Sequence, residues 1–374
     1  MKEINIGIIG WGFMGKTHTQ ALRSIPLFYP DCGFEINLKC ICTRRREKAE
    51  GAMRAAGFER CCTDYRELLA MEDIDVVSIC TPNQDHEEMT IAALEAGKHV
   101  YLDKPVAVTG ESAMRIAEAA EKAPVKTRVV FNNRCFPATM RMKQIIEEGR
   151  IGKIMHFEAR YLHSGSIEPG KPIGWKQQMQ AGTLLDMGSH VLDLVTWLIG
   201  YPKRGLCRTR VLYPQRPTKD GGVETQLADD HVIMLLEMAD GALGTVEASK
   251  IATGTNDDLF LEIRGEKGAL RWSLMDPNYL DFYDTTMPGS PIGGLRGFTR
   301  IETVARYPAP GGAFLPPKNT IGWERGHMHC YYTFLDAVAH DLPADDNTIA
   351  EGAKLQCLMD KLLKSNKDGS WVEV

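Results

Sequence analysis

The run Ile4-Asn5-Ile6-Gly7-Ile8-Ile9 leads straight into Gly10-Trp11-Gly12-Phe13-Met14-Gly15. The apolar run reads as a buried strand, and Gly10, Gly12 and Gly15 supply the G-x-G-x-x-G spacing at its end. Each glycine answers a separate steric demand. Gly10 permits the tight strand-to-helix turn, Gly12 lets backbone approach a pyrophosphate with no Cβ in the way, and Gly15 lets the next helix pack closely on the sheet. A helix from Lys16 to about Ser24 then aims its free N–H groups and the positive end of its dipole at the phosphates. Alone the spacing is a weak signal. At the end of a strand and opening a helix it points to a dinucleotide, with Phe13 and Met14 inside the binding turn.

Strands and helices alternate through the first third. Strands are expected at Ile36–Cys42, Val76–Cys80, His99–Leu102 and Arg128–Phe131, and helices at Arg45–Ala56, Asp85–Ala96 and Thr109–Lys122. Such alternation predicts an α/β fold, a doubly wound parallel Rossmann sheet with its cofactor at the C-terminal ends of the strands. The stretch Pro26–Glu35 is long for an αβ connection and reads as a surface insertion. Near residue 130 the pattern changes. Pro137–Gly149 and Leu184–Ile199 read as helices. Lys153–Tyr161, Lys203–Tyr213, His231–Met238, Leu243–Ser249, Leu259–Gly265 and Ala269–Ser273 read as strands, many in succession and joined by turns such as Ala239-Asp240-Gly241. This predicts a C-terminal α+β domain with a mainly antiparallel sheet. The expected division is a nucleotide domain over 1–130 and a substrate and oligomerisation domain over 131–374. Pro288–Pro317, rich in glycine and proline, reads as an irregular segment that covers a cleft, and Trp323–His340 reads as a helix.

At 374 residues the chain has room for two domains. A net charge of −5 gives no reason to expect nucleic acid or an anionic membrane as partner. No apolar stretch approaches membrane-spanning length, and Met1-Lys2-Glu3 runs directly into the first strand, so a cytoplasmic protein without a targeting peptide is expected. The ten cysteines form no C-x-x-C pair, and Cys40, Cys42 and Cys80 lie in apolar runs. Buried free thiols are the expectation. His163, Asp186, His190 and His231 lack metal-site spacing, so no metal is expected.

A carboxylate at the end of the second strand would hold an NAD ribose and repel a 2′-phosphate. Here the chain carries Thr43-Arg44-Arg45-Arg46. A small hydroxyl followed by a planar guanidinium suits a 2′-phosphate. Thr43 and Arg44 therefore lean the reading toward NADP, with NAD left open.

Further motifs follow: Cys80-Thr81-Pro82-Asn83-Gln84-Asp85-His86, then Ala96-Gly97-Lys98-His99-Val100-Tyr101-Leu102-Asp103-Lys104-Pro105, then Arg134-Cys135-Phe136-Pro137 and Gly149-Arg150-Ile151-Gly152. Trp175 and Ala181-Gly182-Thr183-Leu184-Leu185-Asp186-Met187-Gly188-Ser189-His190-Val191-Leu192-Asp193 complete the series. With the glycine turn, they resemble the Gfo/Idh/MocA oxidoreductases over nearly the whole chain. One departure is Asp103, where that family usually carries glutamate before Lys-Pro. The resemblance implies a cis Lys104–Pro105 bond and a catalytic centre of Lys104, Asp186 and His190. It also implies that Thr81, Pro82, Asn83, His86, Asp103 and Lys104 lie near the cofactor. Arg134 follows a later strand, within reach of nicotinamide or substrate; His163 after the first strand of the second domain, Trp175, and His327 at the start of the late helix are candidates for substrate contact, together with Lys104, Asp186 and His190.

These residue types suit alcohol oxidation. A hydride must leave carbon while a proton leaves oxygen, so a base and hydrogen-bond donors are required beside the nicotinamide. A histidine titrates near neutrality and suits the base; the Lys104 ammonium suits an oxygen gaining negative charge. Asp186 and His190, spaced i, i+4, share a helix face. The expected activity is NAD(P)-dependent hydride transfer at a ring hydroxyl of a sugar, cyclic polyol or glycoside, the substrate class being implied by the resemblance. One alternative is a glycoside-processing enzyme with tightly held NAD, acting by transient oxidation and elimination. Another is a non-catalytic nucleotide sensor, which would need none of Lys104, Asp186 and His190. The resemblance also implies a homodimer or homotetramer formed through the second-domain sheet.

Overall fold

Ile4, Ile6 and Ile8 are fully buried, as is Gly7 between them, so the first strand is covered on both faces. Each isoleucine so buried contributes about 1.5–3 kcal/mol. The computed structural model describes residues 1–174, 181–343 and 345–374. It divides into two units, Met1–Cys135 with Arg306–Cys357, and Phe136–Ala305 with Leu358–Val374. Relative to the boundary expected at 130/131, the differences are Phe131–Cys135 and Arg306–Cys357, which group with the nucleotide-binding residues.

In the first unit the strands are β1 (Lys2–Ile9), β2 (Phe34–Cys42), β3 (Arg60–Cys62), β4 (Val76–Ile79), β5 (His99–Leu102) and β6 (Thr127–Val129). Their order is β3-β2-β1-β4-β5-β6, and every pair is parallel. The direction of winding reverses between β1 and β4, the place where doubly wound sheets bind ligands. Register makes that edge even. Ile9 lies opposite Ile79, which lies opposite Leu102. The three chains therefore leave the sheet side by side, and each next residue is pinned: Gly10 N–H to the Cys42 carbonyl, Cys80 N–H to that of Ile9, and Asp103 N–H to that of Ile79.

Helices α1 (Phe13–Phe28), α2 (Arg46–Ala56), α3 (Tyr65–Leu69), α4 (His86–Glu95) and α5 (Gly110–Lys122) connect the strands. Helix α1 buries Gly15, His18, Leu22 and Ile25, one face at helical spacing. The structure corrects the reading of Pro26–Glu35. The helix continues through Pro26 to Phe28, and the chain then turns inward rather than outward. Tyr29 is fully buried. Its ring stacks on Tyr332 at 3.8 Å, its hydroxyl lies 2.9 Å from His329 Nδ1, and Arg325 Nη1 donates to it at 2.6 Å. Helix Trp323–His340, which carries those partners, has the bounds expected from sequence. A second long helix, Ile349–Asp368, was not expected.

The second unit opens with α6 (Pro137–Glu147) and β7 (Ile154–Leu162), followed by α7 (Ser189–Ile199). After it come β8 (Pro202–Arg210), β9 (Gln215–Pro217), β10 (Val223–Thr225), β11 (His231–Met238), β12 (Leu243–Ser249), β13 (Asp258–Gly265), β14 (Gly268–Ser273), β15 (Tyr279–Asp284), β16 (Phe298–Glu302) and β17 (Val372–Glu373). Nine of these strands form one sheet, β16-β15-β14-β13-β7-β12-β11-β8-β17, antiparallel throughout except where β7 runs parallel to β12. One face is apolar; the other exposes Ile233, Leu235 and Leu243 among charged residues. Phe298–Glu302 lies within the stretch read as irregular, so that part of Pro288–Pro317 is an edge strand paired with β15. All ten cysteines are thiols rather than disulfide halves, and seven of them are buried. Among the described residues, no helix is long and apolar enough to cross a membrane.

Burial in the first unit has a titration consequence. Loss of hydration holds His18 and His329 down at about 3. Both stay neutral in the fold, whereas the unfolded chain protonates them below about 6.5. Their contribution is complete above pH 6.5 and is lost as pH falls from there toward 3, at about 1.4 kcal/mol per pH unit for each histidine. Melting temperature should therefore fall steadily from pH 7 to pH 5, and His329→Gln should lower it at pH 7 but make the decline shallower. An equal pH slope in the variant would contradict the burial of an uncharged His329.

Candidate functional site

The glycines of the first turn differ sharply in their surroundings. Gly10 has φ +104°, and a Cβ there would lie 2.6 Å from the Cys80 carbonyl oxygen. A Cβ on Gly15 would lie 2.2 Å from the Gly10 carbonyl oxygen. A Cβ on Gly12 meets nothing within 4 Å. Two glycines are thus demanded by the protein itself, and the third opens onto free space. Gly12 is also the N-cap of α1, with no side-chain cap and no acidic residue in the first turn. The unshared N–H groups of that turn and the positive end of the helix dipole therefore face an open cradle, an arrangement suited to a pyrophosphate. Thr81 Oγ1 is buried with no hydrogen-bond partner among the described residues, a second polar group at this edge that a bound nucleotide would satisfy. The residues present fit a dinucleotide.

Around the cradle, Phe13 is exposed and stacks on Trp323 at 5.6 Å, and Met14 is half-buried. Thr43 is buried at the end of β2, where its hydroxyl donates to the Arg45 carbonyl at 3.1 Å. Arg44 is exposed, and Arg46 pairs with Glu50 at 2.7 Å. Pro82 is half-buried and Asn83 buried in the short turn after β4. His86 is buried, with Nε2 3.0 Å from the Thr81 carbonyl and Nδ1 2.9 Å from that of Pro105. It braces the loop after β4 against the loop after β5, and burial lowers its pKa.

The Lys104–Pro105 bond is cis. Lys104 is half-buried, and the buried Asp103 accepts its backbone N–H at 2.9 Å. Asp103 thus fixes the turn that presents the lysine. Arg134 donates to the Asp346 carbonyl at 3.1 Å and lies over Phe131. His327 is buried on helix Trp323–His340, 4.2 Å from the Trp323 ring centroid and 6.2 Å from that of His18.

The remaining candidates lie in the second unit. Leu184–Gly188 forms a π-helical turn that passes into α7, so Asp186 and His190 do not sit on the continuous α-helix expected. Such turns mark functional sites in many helices. This one is tied at its start by Asp229. The Asp229 Oδ2 accepts the Leu184 N–H at 3.0 Å, and its carbonyl accepts both the Thr183 N–H and hydroxyl. Gly182 leaves room for that carboxylate, since a Cβ there would lie 2.1 Å from Asp229 Oδ1. Asp186 Oδ2 lies 3.1 Å from Lys250 Nζ. His190 is half-buried, its ring edge-on to Tyr161 at 5.9 Å. Tyr161 donates to Asp257 at 2.7 Å.

His163 is half-buried after β7, and its Nδ1 accepts the Gly165 N–H at 2.9 Å, which leaves the proton of the neutral ring on Nε2. His231 pairs with Glu247 at 2.9 Å on neighbouring strands. Among the described residues, no group of three or more histidine, cysteine or acidic side chains is arranged to hold a metal. Trp175 lies outside the described residues. Sequence reasoning missed Lys250 and Asp229. Lys250 had a signal: Gly244, Val246 and Ala248 alternate inward along β12, and a lysine continues that buried register.

Residues 4–131 match a family model described as the oxidoreductase family with an NAD-binding Rossmann fold. Residues 139–271 match the model of the GFO/IDH/MocA C-terminal domain. The chain belongs to the Gfo/Idh/MocA oxidoreductase family. A curated relative, the levoglucosan dehydrogenase of Pseudarthrobacter phenanthrenivorans, is 32% identical over 100% of this chain and 99% of its own length. A solved levoglucosan dehydrogenase in complex with NADH and levoglucosan superposes with a TM-score of 0.94 at 32% identity, covering 100% of both chains. The myo-inositol 2-dehydrogenase of Thermotoga maritima is 27% identical over 71% of this chain and 74% of its own length. Members of the family are oxidoreductases, and so is this chain.

The different surroundings of the glycines separate binding from folding. Gly12→Ala should weaken NADH binding at least about tenfold with an unchanged melting temperature, because its Cβ enters only the cradle. Gly15→Ala should lower the melting temperature as well, because its Cβ meets backbone. Fluorescence titration and thermal melts read both; equal melting losses in the two variants would refute the distinction.

Proposed function

We propose that this chain is an NAD(H)-dependent dehydrogenase that oxidises a ring hydroxyl of a sugar, cyclic polyol or glycoside and runs the reverse reduction with the same groups. The observation that carries the reading is the open cradle at Gly12, at the same sheet edge as Lys104. The family relatives that act on levoglucosan and myo-inositol support the substrate class. Nicotinamide, when bound, supplies the carbon that accepts or returns hydride. The remaining work falls to this chain's own side chains.

Lys104 donates a hydrogen bond to the reacting oxygen and stabilises the negative charge that grows on it as the C–H bond breaks. His190 takes the hydroxyl proton, and Asp186 supports the resulting imidazolium. In the reverse direction His190 returns that proton to the carbonyl oxygen. The edge-on Tyr161 ring restricts the orientation of His190, and His163, after β7, is assigned to contact with a second substrate hydroxyl. A nucleotide sensor would need only the cradle; the ion-paired Asp186 and the turn that holds it favour an enzyme.

Lys104→Ala and His190→Ala should each lower kcat by about 10²–10⁴-fold. NADH binding by fluorescence titration should remain within about threefold of the unaltered protein, as expected for groups acting in the chemical step. Levoglucosan, myo-inositol and methyl β-D-glucoside form the substrate panel. Unchanged turnover in either variant would overturn its assignment. Release of aglycone from the glucoside without net NADH formation would replace simple oxidation by the oxidation–elimination route.

NAD(H) is the proposed carrier because solved relatives hold NADH, while Arg44, exposed beyond β2, keeps the phosphorylated form a live comparison. Arg44→Ala should cost NADPH about tenfold in affinity while leaving NADH within about twofold, since only the 2′-phosphate requires a guanidinium. Equal losses for both nucleotides would remove Arg44 from phosphate recognition.

A further inference from the structure

Lys250 is 5% exposed, an uncommon place for an ammonium. It follows β12 in the inward register, where a strand serving packing alone would carry an apolar side chain. Burial of its charge costs several kcal/mol unless partners replace water. The partners are specific. Nζ lies 3.1 Å from Asp186 Oδ2 and 3.4 Å from the Ala181 carbonyl oxygen. Its field also reaches Asp229, the carboxylate that ties the first residues of the π-helical turn. One buried cation therefore serves two carboxylates, one at the start of that turn and one within it.

The Lys250 backbone does separate work. Its N–H donates to the Asp230 carbonyl and its carbonyl accepts the Ser166 N–H, both at 2.8 Å. Those bonds hold the segment after His163 whatever the side chain. Only the ammonium is aimed at Asp186.

We propose that Lys250 is a positioning residue of the hydroxyl-oxidising site: its ammonium holds the Asp186 carboxylate ionised and in one orientation on the turn leading into His190. The inference rests on the reading of Asp186 and His190 under Proposed function. Among the described residues, the charged and titratable groups facing Asp186 and its partner include Lys250, Asp229, Tyr161, Tyr161's acceptor Asp257, and His190 on the same stretch of chain. Lys250 carries the positive charge 3.1 Å from Asp186 Oδ2, so its removal takes a stabilising opposite charge away from a half-buried carboxylate. An Asp186 that takes up a proton no longer supports the imidazolium formed when His190 accepts the substrate proton.

The test is a double-mutant cycle with a pH profile, using the panel sugar that the unaltered protein oxidises fastest. Lys250→Met should lower kcat about tenfold at pH 7 and move the acid limb of the kcat profile upward by about one pH unit. NADH affinity should be unchanged. Lys250→Arg, which keeps the charge, should leave the acid limb in place and restore kcat to within about threefold. In an Asp186→Asn background Lys250→Met should add less than about twofold, because its effect runs through the carboxylate already removed.

Losses that multiply independently of Asp186→Asn, or an acid limb unmoved by Lys250→Met, would overturn the inference. Lys250→Gln is read in the same way if the methionine variant does not fold. If neither folds, a shifted acid limb in Lys250→Arg would overturn it alone. Full turnover in Asp186→Asn and His190→Ala would instead remove the underlying site reading, an outcome distinct from failure of the Lys250 cycle.

Discussion

The nucleotide-binding unit depends on a close contact between two backbones. Gly15 in the first turn of α1 passes so near the Gly10 carbonyl that no side chain fits between them. That approach sets the distance of α1 from β1 and β4, and the rest of the helix is packed to match. His18, one turn on, lies against Ser78 and Cys80 of the β4 segment, with Nδ1 2.9 Å and 3.1 Å from their side-chain atoms. Leu22 and Ile25 complete the buried face, and Tyr29 anchors the end of the helix against Tyr332, His329 and Arg325. The open side of the same turn is the cradle at Gly12. Tight packing on one side and an unfilled space on the other come from a single backbone path.

Sequence patterns were most legible where one period persisted or one residue had a unique steric role. The parallel order of the first sheet follows from alternating apolar runs and helices, and helix Trp323–His340 was placed with correct bounds. Tyr29 was not legible. Pro26 and Gly33 around it carry turn chemistry, and only partners some 300 positions away explain why an aromatic residue there is buried. Ile349–Asp368 could have been found: Leu355, Leu358, Met359 and Leu362 are buried at i, i+3, i+4 and i+7. The π-helical turn had no local signal. Asp186 and His190 have ordinary helical spacing, and the turn is imposed by Asp229, which lies more than forty positions later and reaches back to Leu184.

The residues assigned to chemistry and the residues that hold them were legible to different degrees for a physical reason. Lys104, Asp186 and His190 lie in short motifs whose neighbours are also constrained, so a run of sequence carries the signal. Asp229 and Lys250 contact the π-helical turn through single side chains; Asp229 has no motif around it, and Lys250 has only the inward alternation of β12 to mark it. A buried lysine in an inward strand register is nevertheless a conflict between local rule and observed burial, and such conflicts concentrate at functional sites.

The two units solve one mechanical problem in related ways. In each, a side chain proposed for the chemistry rides on irregular backbone, and irregular backbone needs partners for groups that a regular helix or strand would satisfy internally. At Lys104 the turn is held from inside by the Asp103 carboxylate on the next backbone N–H, and from outside by His86, whose ring spans the loops after β4 and β5. At Asp186 the Asp229 carboxylate ties the beginning of the turn, and the Lys250 ammonium pairs with its middle. Both arrangements place an acidic group where it accepts a backbone N–H, a bond that strengthens when the acceptor is ionised. Asp229 is buried deeply enough for desolvation to raise its pKa, with Lys250 opposing that rise. In the second unit a buried cation, Lys250, stands by both acids, pairing with Asp186 at 3.1 Å and opposing the desolvation of Asp229.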